Sequence, residues 1–268
     1  MLDTLFADRT AGIAAGLLIP FIGNMAGAAT VLFTSKKSSD LSQKLMLGFA
    51  SGVMLSAIIW SLLIPSMEMA EEQGASRWAA PVAGFLAGML FLLVIDTLTP
   101  HMHVSSDSVE GLPSRLSKSS MLILAIVIHH IPEGMAMGVV FAGASAGEGA
   151  VTAASAIALS FGMALQNIPE GAVVSLPLKN MGHGRFRSFL YGTATGLVQP
   201  VSALAAILLI GRLPEQIFPA LLAFAAGAMM YVIVEELIPE SQTGRHSNIA
   251  TVGLAAGFVL MMIMDSAL

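Results

Sequence analysis

The chain has 268 residues, of which 56% are hydrophobic and 11% are charged, and its mean hydropathy is +0.82. This composition excludes an ordinary soluble domain and indicates a protein whose solvent is the lipid bilayer. Cysteine is absent, which excludes disulfide frameworks, thiolate metal sites and thiol nucleophiles. The formal net charge is -5, and no run of basic residues predicts binding to nucleic acid.

Apolar stretches predict an all-α membrane protein with eight transmembrane helices. A spanning helix needs roughly 20 mostly apolar residues, and two of the stretches are interrupted once each, by Glu133 and by Glu170. The predicted helices cover approximately residues 10–35, 42–67, 78–99, 119–143, 150–178, 187–211, 215–239 and 247–267. The polar segments between them are too short for a soluble domain, so residues 1–268 are predicted to form a single transmembrane domain.

The distribution of basic residues predicts the orientation in the membrane, because Lys and Arg are retained on the cytoplasmic side. Arg9, Arg77 and Arg212 lie on the side of the N-terminus. Every other Lys and Arg of the chain lies on the opposite side. Both termini are therefore predicted to face the periplasm, in a multi-pass protein of the bacterial inner membrane.

A short motif occurs twice. The sequence HHIPEG at 129–134 recurs as QNIPEG at 166–171 on the next predicted helix. Consecutive helices joined by a short turn run antiparallel, so a pseudo-two-fold axis in the membrane plane would relate the two copies. A fainter similarity links LLIPS at 62–66 to ELIPE at 236–240. These similarities predict a 3+2+3 inverted-repeat arrangement of the eight helices.

The paired motif carries residues that can bind a metal ion. His129 precedes Glu133 by four residues, and Gln166 precedes Glu170 by the same spacing, so each pair shares one helix face. An ionised carboxylate within the hydrocarbon is costly, and one bound dication would neutralise two of them. Imidazole and carboxylate ligands suit Zn²⁺ and its first-row neighbours.

The prolines of the motif predict irregular helices at mid-membrane. Pro132 and Pro169 cannot donate a backbone N–H, so the carbonyls of Ile128 and Leu165 lose their helical partner. Transporters build ion sites at such breaks. A tolerated kink and a proton relay are the alternatives for either motif alone, whereas two copies on neighbouring helices favour a metal site.

The doublet resembles the signature on the fourth and fifth helices of the ZIP (Zrt/Irt-like) transporter family, and the whole chain is most similar to its bacterial, GufA-like branch. The resemblance implies a binuclear centre. A first metal would be held by His129, Glu133, Gln166 and Glu170, with Met54 as a further ligand. A second metal would use His130, Asn167 and Gln199, with both glutamates as bridges.

The chain departs from the family pattern at the second metal position. Gln199 stands where the family commonly has Glu, and Asn167 stands where some members have Asp. With both residues neutral, the bridging pair supplies only two negative charges, and one dication already balances them. We therefore expect the first position to bind metal tightly and the second to bind it weakly.

Several other polar residues lie at the predicted helix ends. Asp96, His101 and His103 follow the third helix on the cytoplasmic side, where a short His cluster can collect metal after release. The remaining weak candidates for entrance, exit or solvated positions are Glu68, His183, Glu235, Glu236, Glu240 and Asp265.

These observations predict uptake of divalent transition-metal ions, zinc foremost and iron, manganese or cadmium as alternatives, by alternating access across the inner membrane. The metal is cargo, and no cofactor is expected. The expected partners are the metal ion and the lipid bilayer, and a homodimer is one alternative for the oligomeric state. An intramembrane metal-dependent hydrolase, a proton-coupled carrier of an organic solute and a metal exporter are the competing functions.

Overall fold

A computed structural model describes residues 9–34, 40–102, 111–146, 151–244 and 247–267 of the chain. The described residues form eight long helices. These are α1 (Arg9–Phe33), α2 (Asp40–Glu72), α3 (Ala79–Leu98), α4 (Lys118–Ala146), α5 (Ala153–Asn180), α6 (Arg185–Ile210), α7 (Glu215–Gln242) and α8 (Ile249–Ala267). The all-α fold class is therefore confirmed. Helix α2 continues through Glu72, where the sequence predicts a polar connection from residue 68.

Seven of these helices, within the described ranges, are long and apolar enough to cross a membrane. The exception is α5, although it has 28 residues. Its Gln166, Asn167 and Glu170 are polar and completely or almost completely buried, so they lower its hydropathy without exposing it to water. The helix with the weakest membrane signal is thus the one that carries half of the paired motif.

Glycines let neighbouring helices approach closely. Gly48 and Gly52 of α2 lie against the backbone of Ala250 and Leu254 in α8, where a Cβ atom would overlap with it. Small residues four apart are a common packing device between membrane helices, because backbone contact replaces the hydrophobic driving force that lipid cannot supply. Equivalent glycine pairs occur in α1, α3, α4 and α8, at residues 23 and 27, 84 and 88, 134 and 138, and 253 and 257.

The helices form two groups of four. The most extensive contacts join α2 to α8, α1 to α5, α3 to α7 and α4 to α6. Helices α1, α4, α5 and α6 form the first helix group, and α2, α3, α7 and α8 form the second. The main contacts between the groups are those of α2 with α5 and of α7 with α4. The paired motif therefore lies in the first helix group, on the helices that face the second.

Helices α4 and α5 are not broken at their prolines. Both continue as α-helix through Pro132 and Pro169, so the prediction of broken helices there is wrong. The irregular segments lie in α2 and α7 instead, which are π-helical over Ile58–Leu63 and Ile233–Leu237. Each π-helical segment is followed directly by an Ile-Pro step. A π-helical turn accommodates the following proline and is frequent at functional sites.

Candidate metal centre

The glycines of the paired motif dock two other helices onto the site. A Cβ on Gly134 would overlap with the carbonyl oxygen of Gln199 in α6, and one on Gly171 would overlap with the carbonyl oxygen of Asn24 in α1. Helix α6 is interrupted at Leu197, two residues before Gln199. The close approach of α6 at Gly134 thus brings the side chain of Gln199 to the carboxylate of Glu133 in α4.

Three potential ligands converge between α4 and α5. One ligand atom from each of His130, Glu133 and Glu170 lies within 4.8 Å of the other two. His130 and Glu133 are fully buried, and Glu170 is 5% exposed. His130 Nε2 lies 3.7 Å from Glu170 Oε2. A zinc ion about 2.0–2.2 Å from each atom fits between them, because their separation is less than two such bonds.

The two facing atoms have no other partner. Among the described residues, neither His130 Nε2 nor Glu170 Oε2 makes a hydrogen bond, although both are buried. The other ring nitrogen of His130 is 2.9 Å from the carbonyl oxygen of Ile126, a contact that fixes the ring with Nε2 toward Glu170. Buried polar atoms normally have a partner, so this pair of atoms indicates a binding site for a cation.

Amide side chains hold the second carboxylate. Gln166 Nε2 donates to Glu133 Oε1 at 3.0 Å, and Gln199 Nε2 donates to Glu133 Oε2 at 3.1 Å. Asn167 Nδ2 donates to Gln199 Oε1 at 2.5 Å and to the carbonyl oxygen of Pro20 at 3.1 Å. Both oxygens of Glu133 thus accept hydrogen bonds from neutral donors, and a metal ion must compete with these amides for them.

His129 is placed differently from its neighbour. Adjacent residues of an α-helix point about 100° apart, and His129 Nε2 lies 2.5 Å from Glu236 Oε1 of α7. His129 also lines the inner cavity together with Glu170, whereas His130 joins Glu133 and Glu170 in the ligand cluster. His129 as a ligand of the first metal and His130 as a ligand of the second stay predictions.

Met54, the remaining predicted ligand, is fully buried in α2. It belongs to the large apolar core that includes Ile58 and Leu62 of the same helix and Met163 of α5. Met54 as a metal ligand stays a prediction.

A second cluster lies between α3 and α7. Ligand atoms of Asp96, His101 and Glu236 lie within 4.8 Å of one another. His101 Nε2 is 3.1 Å from Asp96 Oδ1, and the hydroxyl of Tyr231 donates to Asp96 Oδ2 at 2.9 Å. Because Glu236 also contacts His129, this residue joins the second cluster to the paired motif. His103 lies outside the described residues.

The sequence signal for Glu236 is the faint ELIPE repeat. That repeat identifies α7 as a counterpart of α2, but it does not reveal that Glu236 points inward whereas Glu235 is exposed. Both residues lie in the π-helical segment of α7. Tyr231 offers no such signal, since a single Tyr at a helix end is ordinary.

Two of the weaker candidates have local partners. Asp265 of α8 accepts a hydrogen bond from Ser61 of α2 at 2.8 Å. His183 Nε2 is 3.0 Å from the hydroxyl of Ser119, and its ring packs edge-on against Tyr191. Glu68 is exposed.

Two adjacent cavities lead away from the cluster. The inner cavity, of about 40 Å³, is lined by His129, Glu170, Glu236 and Glu240 together with apolar side chains. The outer cavity, of about 220 Å³, is lined by Asp40, Gln43, Lys44, Leu47, Val173, Glu240, Thr243 and Gly244. Leu47, Val173 and Glu240 line both cavities, so the two spaces meet there.

The opposite side of the cluster is closed by apolar side chains. Helix α4 contributes Met137 and Phe141, α5 contributes Leu159 and Met163, and α2 contributes Leu62. Each of these side chains is at most 1% exposed. Among the described residues, the inner and outer cavities therefore lead from the site toward the end of the bundle where α2 and α4 begin and α5 and α7 end.

Comparison with known proteins gives a consistent result along the chain. The sequence model of the family described as ZIP Zinc transporter matches residues 101–265. The chain is 37% identical over 267 residues to the zinc transporter GufA of Myxococcus xanthus, covering 98% of each chain. It is 36% identical over 233 residues to the zinc transporter ZIPB of Bordetella bronchiseptica, covering 86% of this chain and 73% of that relative. It is 34% identical over 319 aligned positions to the zinc transporter ZIP11 of Homo sapiens, covering 90% and 92%.

Proposed function

This chain belongs to the ZIP family of zinc transporters, and from this premise we propose that it takes up divalent transition-metal ions, zinc foremost, through the site between α4 and α5. The observation that carries the proposal is the convergence of His130, Glu133 and Glu170 within 4.8 Å in the apolar interior. A dication would balance the two carboxylates, which are otherwise expensive to bury. The metal is cargo and not a resident cofactor.

All eight helices are proposed to cross the inner membrane, with both termini in the periplasm. The bias of basic residues supports this orientation, and the length and burial of α5 support counting it as a spanning helix. The 3+2+3 inverted repeat is supported by the matching π-helical segments of α2 and α7. A homodimer stays a prediction for the oligomeric state.

The cavities support a route between the site and the cytoplasm. The inner and outer cavities lie on the side that the basic residues predict to be cytoplasmic, and apolar packing closes the other side. The chain would thus be in an inward-facing state. A metal leaving Glu170 would next meet His129 and Glu236, which are 2.5 Å apart, and then Glu240 at the junction of the cavities.

Alternating access would be a movement of one helix group against the other. The paired motif lies in the first helix group, whereas Glu236 lies in the second. Glycine contacts join helices within each group, and the contacts between the groups are fewer. Such a movement would exchange the apolar closure on one side of the site for closure on the other. The family consists of transporters, so the metallohydrolase alternative finds no support.

Uptake by purified protein tests the proposed function. Proteoliposomes that contain the chain should accumulate zinc from the outside, and a panel of iron, manganese and cadmium should show which other dications pass. The expected result is saturable zinc accumulation above that of empty liposomes. The proposal would be contradicted if correctly folded protein accumulated none of these dications.

Thiol labelling tests the orientation independently, because the chain has no native cysteine. Single cysteines at Ser38, Ser117 and Ser247 should resist a membrane-impermeant reagent in intact spheroplasts, whereas one at Ser76 should react. Ser38 lies outside the described residues, and Ser76 and Ser117 are exposed. All four should react after the membrane is permeabilised, and the reverse pattern in intact spheroplasts would overturn the orientation.

A further inference from the structure

Lys44 of α2 is a buried cation on the proposed route of a cation. Lys44 is only 7% exposed, and it lines the outer cavity together with Asp40 and Glu240. Burying an ammonium group is costly unless nearby charges or polar groups compensate for it. A lysine near a helix end can extend to the surface, whereas Lys44 lies beside the cavity and interacts with neighbouring groups there.

The route before Lys44 is rich in metal ligands. The inner cavity is lined by His129, Glu170, Glu236 and Glu240. Each of these side chains has a nitrogen or oxygen atom that can bind zinc. A route of this kind transports ions only when its binding is weak enough to let them leave. Glu240, which lines both cavities, is the last of these carboxylates before the outer cavity.

We propose that Lys44 promotes metal release, because its ammonium group prevents the outer cavity from retaining a dication beside Glu240. The ammonium repels a dication and offsets the charge of Glu240, so a metal that leaves the inner cavity passes on. This inference rests on the proposed uptake function and on its inward direction. Lys44 acts through its charge on the release of the metal from the inner cavity, and it does not bind the metal.

Equilibrium binding and transport together test the assignment. Lys44→Gln should retain additional zinc after desalting, approaching one further ion per chain, and its zinc turnover in proteoliposomes should fall about tenfold at saturating zinc. Lys44→Arg keeps the positive charge and should behave as the unaltered protein in both measurements. Lys118→Gln, which removes an exposed lysine at the start of α4, is the matched control for loss of one positive charge on the same side.

A second substitution separates release from structural support. In the Lys44→Gln background, Glu240→Gln should remove the additional retained zinc, because the carboxylate that holds it is gone. If Lys44 only stabilised α2, Lys44→Gln would lower the melting temperature without retaining additional zinc. Should Lys44→Gln fail to fold, Gln43→Glu tests the same idea by adding an anion to the outer cavity, and it should likewise retain more zinc.

The outcomes distinguish this inference from the proposed function. Unchanged zinc retention and turnover in Lys44→Gln, beside normal uptake by the unaltered protein, would overturn the role of Lys44 alone. Unchanged retention in Gln43→Glu would overturn it in the same way. Absence of zinc uptake by the unaltered protein would overturn the proposed function itself.

Discussion

Glu170→Ala is expected to abolish zinc uptake while the protein remains folded in detergent. Glu170 Oε2 faces His130 Nε2 at 3.7 Å and makes no hydrogen bond with any described residue. The substitution therefore removes a ligand and a negative charge, and it leaves no hydrogen-bond donor of Oε2 without an acceptor. Even a lost outer-shell partner of a metal costs roughly 10–100-fold in affinity, so loss of a direct, charged ligand should cost at least as much.

Glu133→Ala should abolish uptake equally but should also lower stability. Both oxygens of Glu133 accept hydrogen bonds, from Gln166 and Gln199. The alanine leaves Gln166 Nε2 without this acceptor, at a cost of about 1–3 kcal/mol, whereas Gln199 Nε2 keeps its contact with Met163 Sδ at 3.3 Å. The matched control for both variants is Glu72→Ala, an exposed carboxylate at the end of α2. Zinc uptake and melting temperature are measured at equal expression. Near-normal uptake by Glu170→Ala would contradict the site assignment.

Gln199→Glu is expected to raise the number of tightly bound zinc ions from one toward two. With Gln199 neutral, the first dication balances Glu133 and Glu170, and a second would meet it a few ångströms away with no further anion. Such like charges repel by several kcal/mol even at an effective dielectric of about 20. A third carboxylate offsets this repulsion and adds a ligand.

The structure adds a consequence for the metal-free variant. Gln199 Oε1 accepts from Asn167, whereas its Nε2 donates to Glu133. A glutamate keeps the first hydrogen bond and replaces the second by repulsion between two carboxylates. The variant should therefore be less stable than the unaltered protein without zinc and gain more stability from it. Metal analysis and calorimetric titration decide the matter: two equally tight sites in the unaltered protein, or no second site in the variant, would refute the charge-balance argument.

Much of the fold can be predicted from hydropathy, because the bilayer requires long apolar helices whose backbone groups are satisfied internally. The same signal is weakest for α5, since Gln166, Asn167 and Glu170 reduce its hydropathy. Pro132 and Pro169 also mislead, because the surrounding helices accept them without a break. The π-helical segments of α2 and α7 each precede an Ile-Pro step, which the sequence presents only as a faint repeat.

The sequence predicts which residues supply the site, but it does not predict their contacts with α7. His130 faces Glu170, and His129 contacts Glu236 of α7, a partner that the spacing of His129 and Glu133 does not indicate. Which of two adjacent histidines joins the cluster depends on the rotation of α4 relative to α5 and α7. Gly134 lies against the backbone of α6, and the partner helix of such a close contact cannot be predicted from the glycine alone.

Anomalous diffraction at the zinc absorption edge, from crystals of the unaltered protein grown with zinc, tests the central claim most directly. We expect one strong peak between α4 and α5, about 2.0–2.2 Å from a carboxylate oxygen of Glu133 or Glu170 and from an imidazole nitrogen of His129 or His130. We also expect this peak to disappear in Glu170→Ala. A strong peak only at Asp96 and His101, with none between α4 and α5, would contradict the account.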